Sequence, residues 1–366
     1  MADRSRSPGA VVRDLSRDES ELLITDEEMR QFSKRMGETA LRVFIGSVAH
    51  PLACSKTLIQ LGYEPLPLTI GRRWVFFGPE VYFLPNSFKY ARHIYRQVGL
   101  IGLYTGVDAS IVGNLLGAAA SVTMSMHLDR EWPQLGGAVD LQSRTQQQMS
   151  DQQALRHMIR LAVRQSAAKC VGAIVARPFE VIMVRKIAQF VGGESDYLGV
   201  AQSFATICRE EGLPGLFSGL MPQLLCDIGM VWLIHGGSFI VDRIFVNFVL
   251  SEEDESVEDD EDDDSKAPVH PSGTMLRVLK AAVPVVANTL LYPLQLVATN
   301  MAVNATRLTI GNQPFTPAFG TWQDCYHYLK DTGSIKRGAS MFLRQHKGPI
   351  TYDDAKIYAK YKQRAY

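Results

Sequence analysis

The chain has 366 residues, of which 46% are hydrophobic, and its mean hydropathy is −0.03. These values fit two soluble domains or one membrane bundle equally well, so the distribution of apolar residues must decide between them. The 38 basic and 38 acidic residues cancel, and the five scattered cysteines exclude a disulfide framework and a paired-cysteine metal site.

The first third of the chain predicts two spanning helices. Residues 1–33 mix arginines with acids and lack an apolar core, which predicts a disordered tail that is neither a secretory signal nor a typical transit peptide. The first helix is predicted over 37–61, with Pro51 as its kink. A loop over 69–98, rich in aromatic residues and arginine, predicts an interfacial segment, and the second helix follows over 107–127.

The rest of the chain predicts three more spanning helices. A glutamine-rich linker over 129–153 precedes a helix over 156–189 that contains Pro178. Two further helices are predicted over 216–250 and 274–304. Long charge-free runs in the second and fifth helices are sufficient to cross a hydrocarbon core of about 30 Å.

Shorter elements complete the predicted architecture. Amphipathic helices on the membrane surface are predicted over 199–211 and 317–331. Residues 339–366 are short of apolar side chains, so no sixth spanning helix is predicted, and 345–366 are assigned to a polar tail. The predicted fold class is therefore an all-α membrane protein.

The formal neutrality hides a strong segregation of charge. Eleven acids lie within residues 252–264 and leave 27 acidic residues against 38 basic ones elsewhere. The basic remainder suits contact with anionic lipid headgroups. A run of like charges predicts a solvated, disordered loop, which is assigned to residues 251–271, and it lacks the spacing and the glycine of a calcium loop.

The apolar stretches repeat. Three prolines stand at the same relative place in them: Pro51, Pro178 and Pro293. A glycine signature follows the first two prolines, at Gly99–Gly106 and Gly212–Gly219, and Gly333 and Gly338 stand at the corresponding place after the third. The pattern predicts three copies of a unit with a kinked spanning helix, a surface helix and a second spanning helix, the last of which is missing. The predicted copies cover residues 34–128, 154–250 and 272–344.

Polar side chains recur at helical spacing on the predicted spanning helices, which is the reverse of a soluble helix. Because a charge at bilayer depth costs roughly 2.5–3.5 kcal/mol, these side chains are expected to face one another or water. The helices are predicted to surround a polar groove formed by eight residues: Lys56, Asn114, Arg177, Glu180, Gln223, Asp227, Asn288 and Gln295. For the neutral residues, a competing interpretation is packing through hydrogen bonds between helices.

The proline-containing helices and glycine signatures resemble the mitochondrial carrier family, whose repeats carry Pro-x-[Asp/Glu]-x-x-[Lys/Arg]. The acidic place holds Ala53, Glu180 and Gln295 here, and the basic place holds Lys56, Met183 and Ala298. Two of six charges are present, in different copies. Since these charges close one end of the cavity in a carrier, the sequence predicts that this chain is not a working exchanger.

A divergent branch of that superfamily, the mitochondrial carrier homolog proteins, resembles the chain more closely. The resemblance extends over about residues 37–344 and rests on several segments: Leu58-Ile59-Gln60-Leu61-Gly62-Tyr63-Glu64-Pro65-Leu66-Pro67, Arg209-Glu210-Glu211-Gly212, Gly215-Leu216-Phe217, Tyr292-Pro293 and Met301-Ala302-Val303-Asn304. The missing sixth helix is also typical of that branch, and it leaves a polar groove open sideways to lipid.

The resemblance implies a multi-pass protein of the mitochondrial outer membrane that inserts α-helical clients, tail-anchored ones in particular, and that also acts as a receptor for a pro-apoptotic partner. A half-open polar groove would lower the barrier for a client's polar end and release its apolar segment into lipid. Lipid headgroups could use the same route, which predicts scrambling as a side activity.

Two alternatives to an insertase stay open at the level of sequence. One is a membrane receptor or scaffold that recruits cytosolic proteins, and the other is a degenerate solute carrier. No phosphate loop, metal-ligand spacing or nucleophile constellation occurs in the sequence, so neither an enzyme, a cofactor, a metal nor a nucleic-acid partner is predicted.

Overall fold

The computed structural model describes residues 29–72, 79–135, 151–255, 271–312, 316–346, 348–353 and 356–359. Most of them are helical. In chain order the helices are α1 (29–48), α2 (His50–Leu61), α3 (Ser87–Leu103), α4 (Val107–Glu131), α5 (Asp151–Ala188), α6 (Val200–Glu210), α7 (Leu213–Leu216), α8 (Leu220–Glu255), α9 (Pro271–Ala302) and α10 (Trp322–Asp331). Most of the predicted N-terminal tail, linker and acidic loop lie outside the described residues, although α1 begins at residue 29, inside the predicted tail.

Five short strands correct the all-α prediction. They are β1 (Thr69–Arg72), β2 (Glu80–Leu84), β3 (Arg344–His346), β4 (Ile350–Asp353) and β5 (Lys356–Ala359). The first three form an antiparallel sheet in the order β1-β2-β3, and β4 pairs with β5. The segment predicted as a polar tail therefore contacts the first predicted copy, where the Leu68 N–H donates to the Ile357 carbonyl at 2.7 Å.

Three described segments are long and apolar enough to span a membrane: Val107–Glu131, Leu213–Phe245 and Met275–Ala302. By length and composition they confirm the second, fourth and fifth predicted spans. The spans predicted for α1–α2 and for α5 stay predictions. With 38 residues, α5 is about 57 Å long, which exceeds a hydrocarbon core of about 30 Å.

The prolines act in two ways. Pro51 does not bend a continuous helix, because α1 ends at residue 48 and Ala49 leaves the helix before α2 begins. Pro51 then lies in the first turn of α2, where its missing amide hydrogen is not needed. Pro178 and Pro293 lie inside α5 and α9, where each removes one helical hydrogen bond, so their kinks are expected there.

One hydrogen bond recurs in each predicted copy. The donor is the side chain of the residue that precedes the proline. The acceptor is the backbone carbonyl of the residue that precedes the last glycine of the signature. The pairs are His50 Nε2 with Thr105 O (2.9 Å), Arg177 Nε with Ser218 O (2.9 Å) and Tyr292 Oη with Arg337 O (2.6 Å). The proline-containing helix of each copy is thereby fixed to the loop that leads to its second half.

Each residue that supplies one of these carbonyls is followed by a glycine that packs against the next copy. Gly106, Gly219 and Gly338 have φ of 84°, 72° and 79°, which an L side chain rarely adopts. An added Cβ would lie 3.1 Å from Met183 O at Gly106, 2.7 Å from Ala298 O at Gly219 and 3.0 Å from Gln60 Cγ at Gly338. The contacts thus run to α5, to α9 and back to α2, and they close one end of the bundle as a ring.

The main core lies at this closed end, where the surface helices α3 and α6 cover the spanning helices. Leu58, Ile182 and Ile187 are buried there from α2 and α5, and Ile94 and Ile207 are buried from the surface helices. The cavity described below therefore has a tightly packed floor.

Three buried tyrosines outside the spans predict sensitivity to alkaline pH. Burial raises the pKa of Tyr63 to about 12, and it also raises the pKa of Tyr90 and Tyr197 above 10. Because an unfolded tyrosine ionises near pH 10, stability is complete below pH 10 and is lost as the pH rises toward 12. Tyr63 alone should lower the free energy of unfolding by up to about 1.4 kcal/mol per pH unit in that window, and Tyr90 and Tyr197 add to the loss in the same direction.

Unfolding of the detergent-solubilised protein at pH 9 and pH 11, monitored by phenolate absorbance, measures this loss. Tyr63→Phe is the matched control, because the Tyr63 hydroxyl has no hydrogen-bond partner among the described residues. The variant should lose less stability between the two pH values than the parent. Equal losses would contradict the assignment to Tyr63.

Candidate functional site

A polar cavity of about 250 Å³ lies between α2, α4, α5, α8 and α9. Six of the eight predicted groove residues line it: Lys56, Asn114, Arg177, Glu180, Gln223 and Gln295. At about 30 Å³ per molecule the cavity holds about eight waters. A space of this size can admit a short extended polar segment.

Arg177 and Glu180 form one wall of the cavity. Arg177 is 3% exposed, its Nη2 donates to Ala298 O at 2.9 Å, and its Nη1 lies 3.3 Å from Glu180 Oε2. The Glu180 side chain is 39% exposed because it faces the cavity. Arg177 therefore connects α5 to α9, whereas Glu180 presents its carboxylate to the interior of the cavity.

Asp227 lies on α8 one turn from the cavity. Gln223 Nε2 donates to Asp227 Oδ2 at 3.2 Å, and Gln223 itself lines the cavity. The carboxylate of Asp227 also interacts electrostatically with Lys169 and Arg177. The structure thus places Asp227 beside polar partners, as expected for an acid in a spanning segment.

Lys56 and Gln295 come from α2 and α9 and face the same cavity. The Lys56 ammonium lies 5.8 Å from the centroid of the Tyr292 ring and forms no ion pair with a carboxylate of the described residues. It is therefore a cavity cation whose charge is not compensated locally, in contrast to Arg177 with Glu180.

Two predicted residues differ from this group. Asn114 lines the cavity, but its Nδ2 donates to the Ser110 carbonyl of its own helix at 2.8 Å, so this bond does not join two helices as the packing interpretation requires. Asn288 is exposed on α9, about two turns before Gln295, and is not among the described residues that line the cavity. The polar stripe of α9 is therefore longer than the cavity.

Sequence reasoning missed some cavity residues and the ion pairs below the floor. Thr57 and Gln60 also line the cavity, as does Thr299, which lies on the same polar stripe of α9 as Gln295. At the closed end, Arg185 donates to both oxygens of Glu211 at 2.5 and 2.8 Å, and Lys186 Nζ lies 2.6 Å from Asp108. Two adjacent bases that directly follow the apolar run 181–184 are a signal that could have pointed to buried ion pairs.

No group of three or more His, Cys, Asp or Glu side chains that could hold a metal ion occurs in the part of the chain that the structure describes. The cavity instead presents hydroxyls, amides and charges of both signs. Such a lining can solvate a polar chain segment inside a membrane.

Comparison with known proteins gives a consistent result. Residues 144–236 match the sequence model of the family described as mitochondrial carrier protein. The chain is 34% identical over 316 residues to mitochondrial carrier homolog 2 of Homo sapiens and 33% identical over 315 residues to that of Mus musculus, which covers 85% of this chain and 95% of each relative. It is 30% identical over 307 residues to mitochondrial carrier homolog 1 of Mus musculus, which covers 84% of this chain and 75% of the relative.

Proposed function

The chain belongs to the mitochondrial carrier homolog family and is a mitochondrial multi-pass membrane protein, and from this premise we propose that it is an outer-membrane insertase for α-helical clients, tail-anchored ones included. We further propose that it consists of three carrier-like repeats, the third of which lacks its second spanning helix. The recurrent hydrogen bond and the ring of glycine contacts support the repeats.

The cavity is the observation that carries this function. A client's polar tail must cross hydrocarbon, where one charge costs roughly 2.5–3.5 kcal/mol. A cavity that offers Lys56, Glu180 and neutral donors between spanning helices replaces part of the water that the tail loses. Because charged and amide side chains line the cavity, the client's apolar segment stays at its open side, in contact with lipid.

We place the open side between α1 and α9. Both helices expose large apolar side chains that suit lipid contact: Leu41, Phe44, Ile45 and Val48 on α1, and Val285, Val286 and Leu290 on α9, all at 57–67% exposure. After α9 the described chain continues through α10 and short strands. A client helix could therefore occupy the place next to α9 that a sixth helix fills in a carrier.

The structure gives little support to a solute exchanger. Met183 and Ala298 stand where the resemblance places gate cations, and the glycine turns of the neighbouring copies pack directly against their backbones. The closed end is thus sealed by apolar packing, glycine contacts and buried ion pairs. An exchanger must open both ends in turn, and the described gate positions hold no ion pair between copies that a substrate could release.

Crosslinking in proteoliposomes tests the insertase. With the partly exposed Cys170 and Cys208 replaced by serine, Ala53→Cys and Thr299→Cys in the cavity should crosslink to an arrested tail-anchored client. The matched controls Leu116→Cys on α4 and Ile174→Cys on α5, which are 45% and 42% exposed and do not line the cavity, should not. The same vesicles report scrambling through a labelled lipid.

Crosslinks confined to the loops, without client transfer, would contradict the lateral groove. They would favour a receptor that recruits a pro-apoptotic protein, a role that we propose only as an addition to insertion.

Charge reversal at Lys56 gives a test with a predicted sign. Lys56→Glu replaces an uncompensated cation by an anion, which changes the potential at the cavity by two unit charges. At about 10 Å and an effective dielectric constant of about 40, two charges contribute about 1.7 kcal/mol to a charged tail, or somewhat more than tenfold. Insertion of a client with a basic tail should rise by about that factor, and insertion of the same client with an acidic tail should fall.

Lys56→Gln is the matched control and should give about half of the effect in free energy. Equal yields for the basic and acidic tails in Lys56→Glu, at matched protein amounts, would remove Lys56 from the client's path.

A further inference from the structure

The surface helix α3 differs from its counterparts in charge. It carries Lys89, Arg92 and Arg96 and no acidic residue. By contrast, α6 carries one base and one acid, and α10 carries one lysine and two aspartates. Only the first copy therefore presents a basic surface helix.

The three bases of α3 share one face. Positions 89, 92 and 96 are spaced by three and four residues, so their side chains project in nearly the same direction. All three are exposed, and none forms an ion pair with a carboxylate of the described residues. The opposite face holds the buried Tyr90 and Ile94, which fix the rotation of the helix.

Large apolar side chains lie beside these cations. Phe88 and Tyr95 on α3 are 55% and 50% exposed, and Phe342 and Leu343, which precede β3, are 63% and 72% exposed. The ring centroids of Phe88 and Phe342 are 5.9 Å apart, and the Ser87 N–H donates to Met341 O at 2.9 Å, so the two segments form one patch. In water this patch would leave four large apolar side chains unburied.

The location of the patch identifies its surroundings. Only three residues separate α3 from α4, which is one of the segments apolar enough to span a membrane. The C-terminal end of α3 therefore lies at the level where α4 enters the bilayer, and an α3 that lies along the membrane surface places the patch at that level. Apolar and aromatic side chains interleaved with exposed bases are typical of a surface that lies in the headgroup layer.

We propose that Lys89, Arg92 and Arg96, together with Phe88, Tyr95, Phe342 and Leu343, form a binding site for anionic glycerophospholipid. The bases contact the phosphate-bearing headgroups, and the apolar side chains enter the upper acyl region. Charge complementarity fits an anionic lipid. The apolar side chains favour a lipid over an acidic soluble protein, because a soluble partner would not account for them at the depth where α4 enters the membrane. The inference does not depend on the insertase.

Lipid photocrosslinking tests the site. The full chain is reconstituted in phosphatidylcholine vesicles with equal trace amounts of photoactivatable phosphatidylglycerol or phosphatidylcholine. A base at an anionic surface contributes about fivefold to affinity, so α3 peptides should be labelled about tenfold to a hundredfold more by phosphatidylglycerol. Lys89→Gln/Arg92→Gln/Arg96→Gln should bring this ratio close to one.

The control variant Arg209→Gln/Lys330→Gln/Lys336→Gln removes three exposed bases from the other two copies and should leave the ratio on α3 unchanged. Phe342→Ser/Leu343→Ser should lower labelling by both lipids. Equal labelling by the two lipids in the parent protein would overturn the proposal. If added inorganic phosphate abolishes the preference at constant ionic strength, the site binds a soluble phosphate instead. If an acidic soluble protein, and not lipid, protects α3, the site binds a protein partner.

Discussion

Insertion of a client with a basic tail should fall about tenfold or more when Asp227 is replaced by lysine. The cavity and its surroundings hold three cations, Lys56, Lys169 and Arg177, and two carboxylates, Glu180 and Asp227. The replacement leaves four cations and one carboxylate. Two added positive charges at about 10 Å cost a cationic tail about 1.7 kcal/mol at an effective dielectric constant of about 40.

The sign of this effect is opposite to that of Lys56→Glu, and that contrast is the strongest test of the cavity. The same client with an acidic tail should insert better in Asp227→Lys and worse in Lys56→Glu. Insertion yield in proteoliposomes, at equal protein per vesicle, measures both. Asp227→Asn is the control, because it keeps the side-chain shape and the oxygen that accepts from Gln223 while it removes one charge. If both tails respond in the same direction, Asp227 acts through folding rather than through the potential of the cavity.

Removing Glu211 should destabilise the closed end by about 3 kcal/mol or more. Arg185 is fully buried, and both oxygens of Glu211 accept from it, while its Nε donates to Ala302 O at 2.9 Å. Glu211→Ala leaves the guanidinium charge without its carboxylate, which costs about 3–5 kcal/mol for a buried pair. The Glu211 side chain is 23% exposed, so water relieves part of the cost and the lower value is expected.

The neighbouring residue supplies a matched control. Glu210 pairs with Arg307 at 3.0 Å, but the Arg307 side chain is 79% exposed, so Glu210→Ala should change stability by no more than about 1 kcal/mol. Denaturant unfolding of the detergent-solubilised variants compares the two. Equal losses for Glu210→Ala and Glu211→Ala would show that the Arg185 pair contributes no more than a surface pair.

Local features of the chain were predictable because they depend on neighbours in sequence. The start of α4 at Val107 follows directly from the glycine signature, and α6 differs from its predicted bounds by one residue at each end. The break before Pro51 was predicted as a kink, and the structure shows a turn at Ala49, because a proline is tolerated in the first turn of a helix but not in its middle. Helix periodicity likewise placed Gln295 on the polar stripe of α9.

The candidate site was predictable only in part. Periodicity identifies the polar face of a helix, but it does not say how far along that face a cavity extends. Asn288 and Gln295 lie on one stripe of α9, and only Gln295 reaches the cavity. Thr57 and Gln60 were missed because a threonine and a glutamine next to a lysine carry no distinctive pattern.

The sequence by itself determined where the helices, the proline breaks, the glycine turns and the charged segments lie. These positions depend on contacts three or four residues apart or on the transfer of apolar side chains out of water. Only the tertiary structure decided that Gly338 packs against Gln60, that Arg185 pairs with Glu211, and that β3 joins the sheet next to β2. These contacts join segments that are distant in sequence. Their formation depends on how whole helices pack, because a pattern along one helix does not specify which face of another helix it will meet.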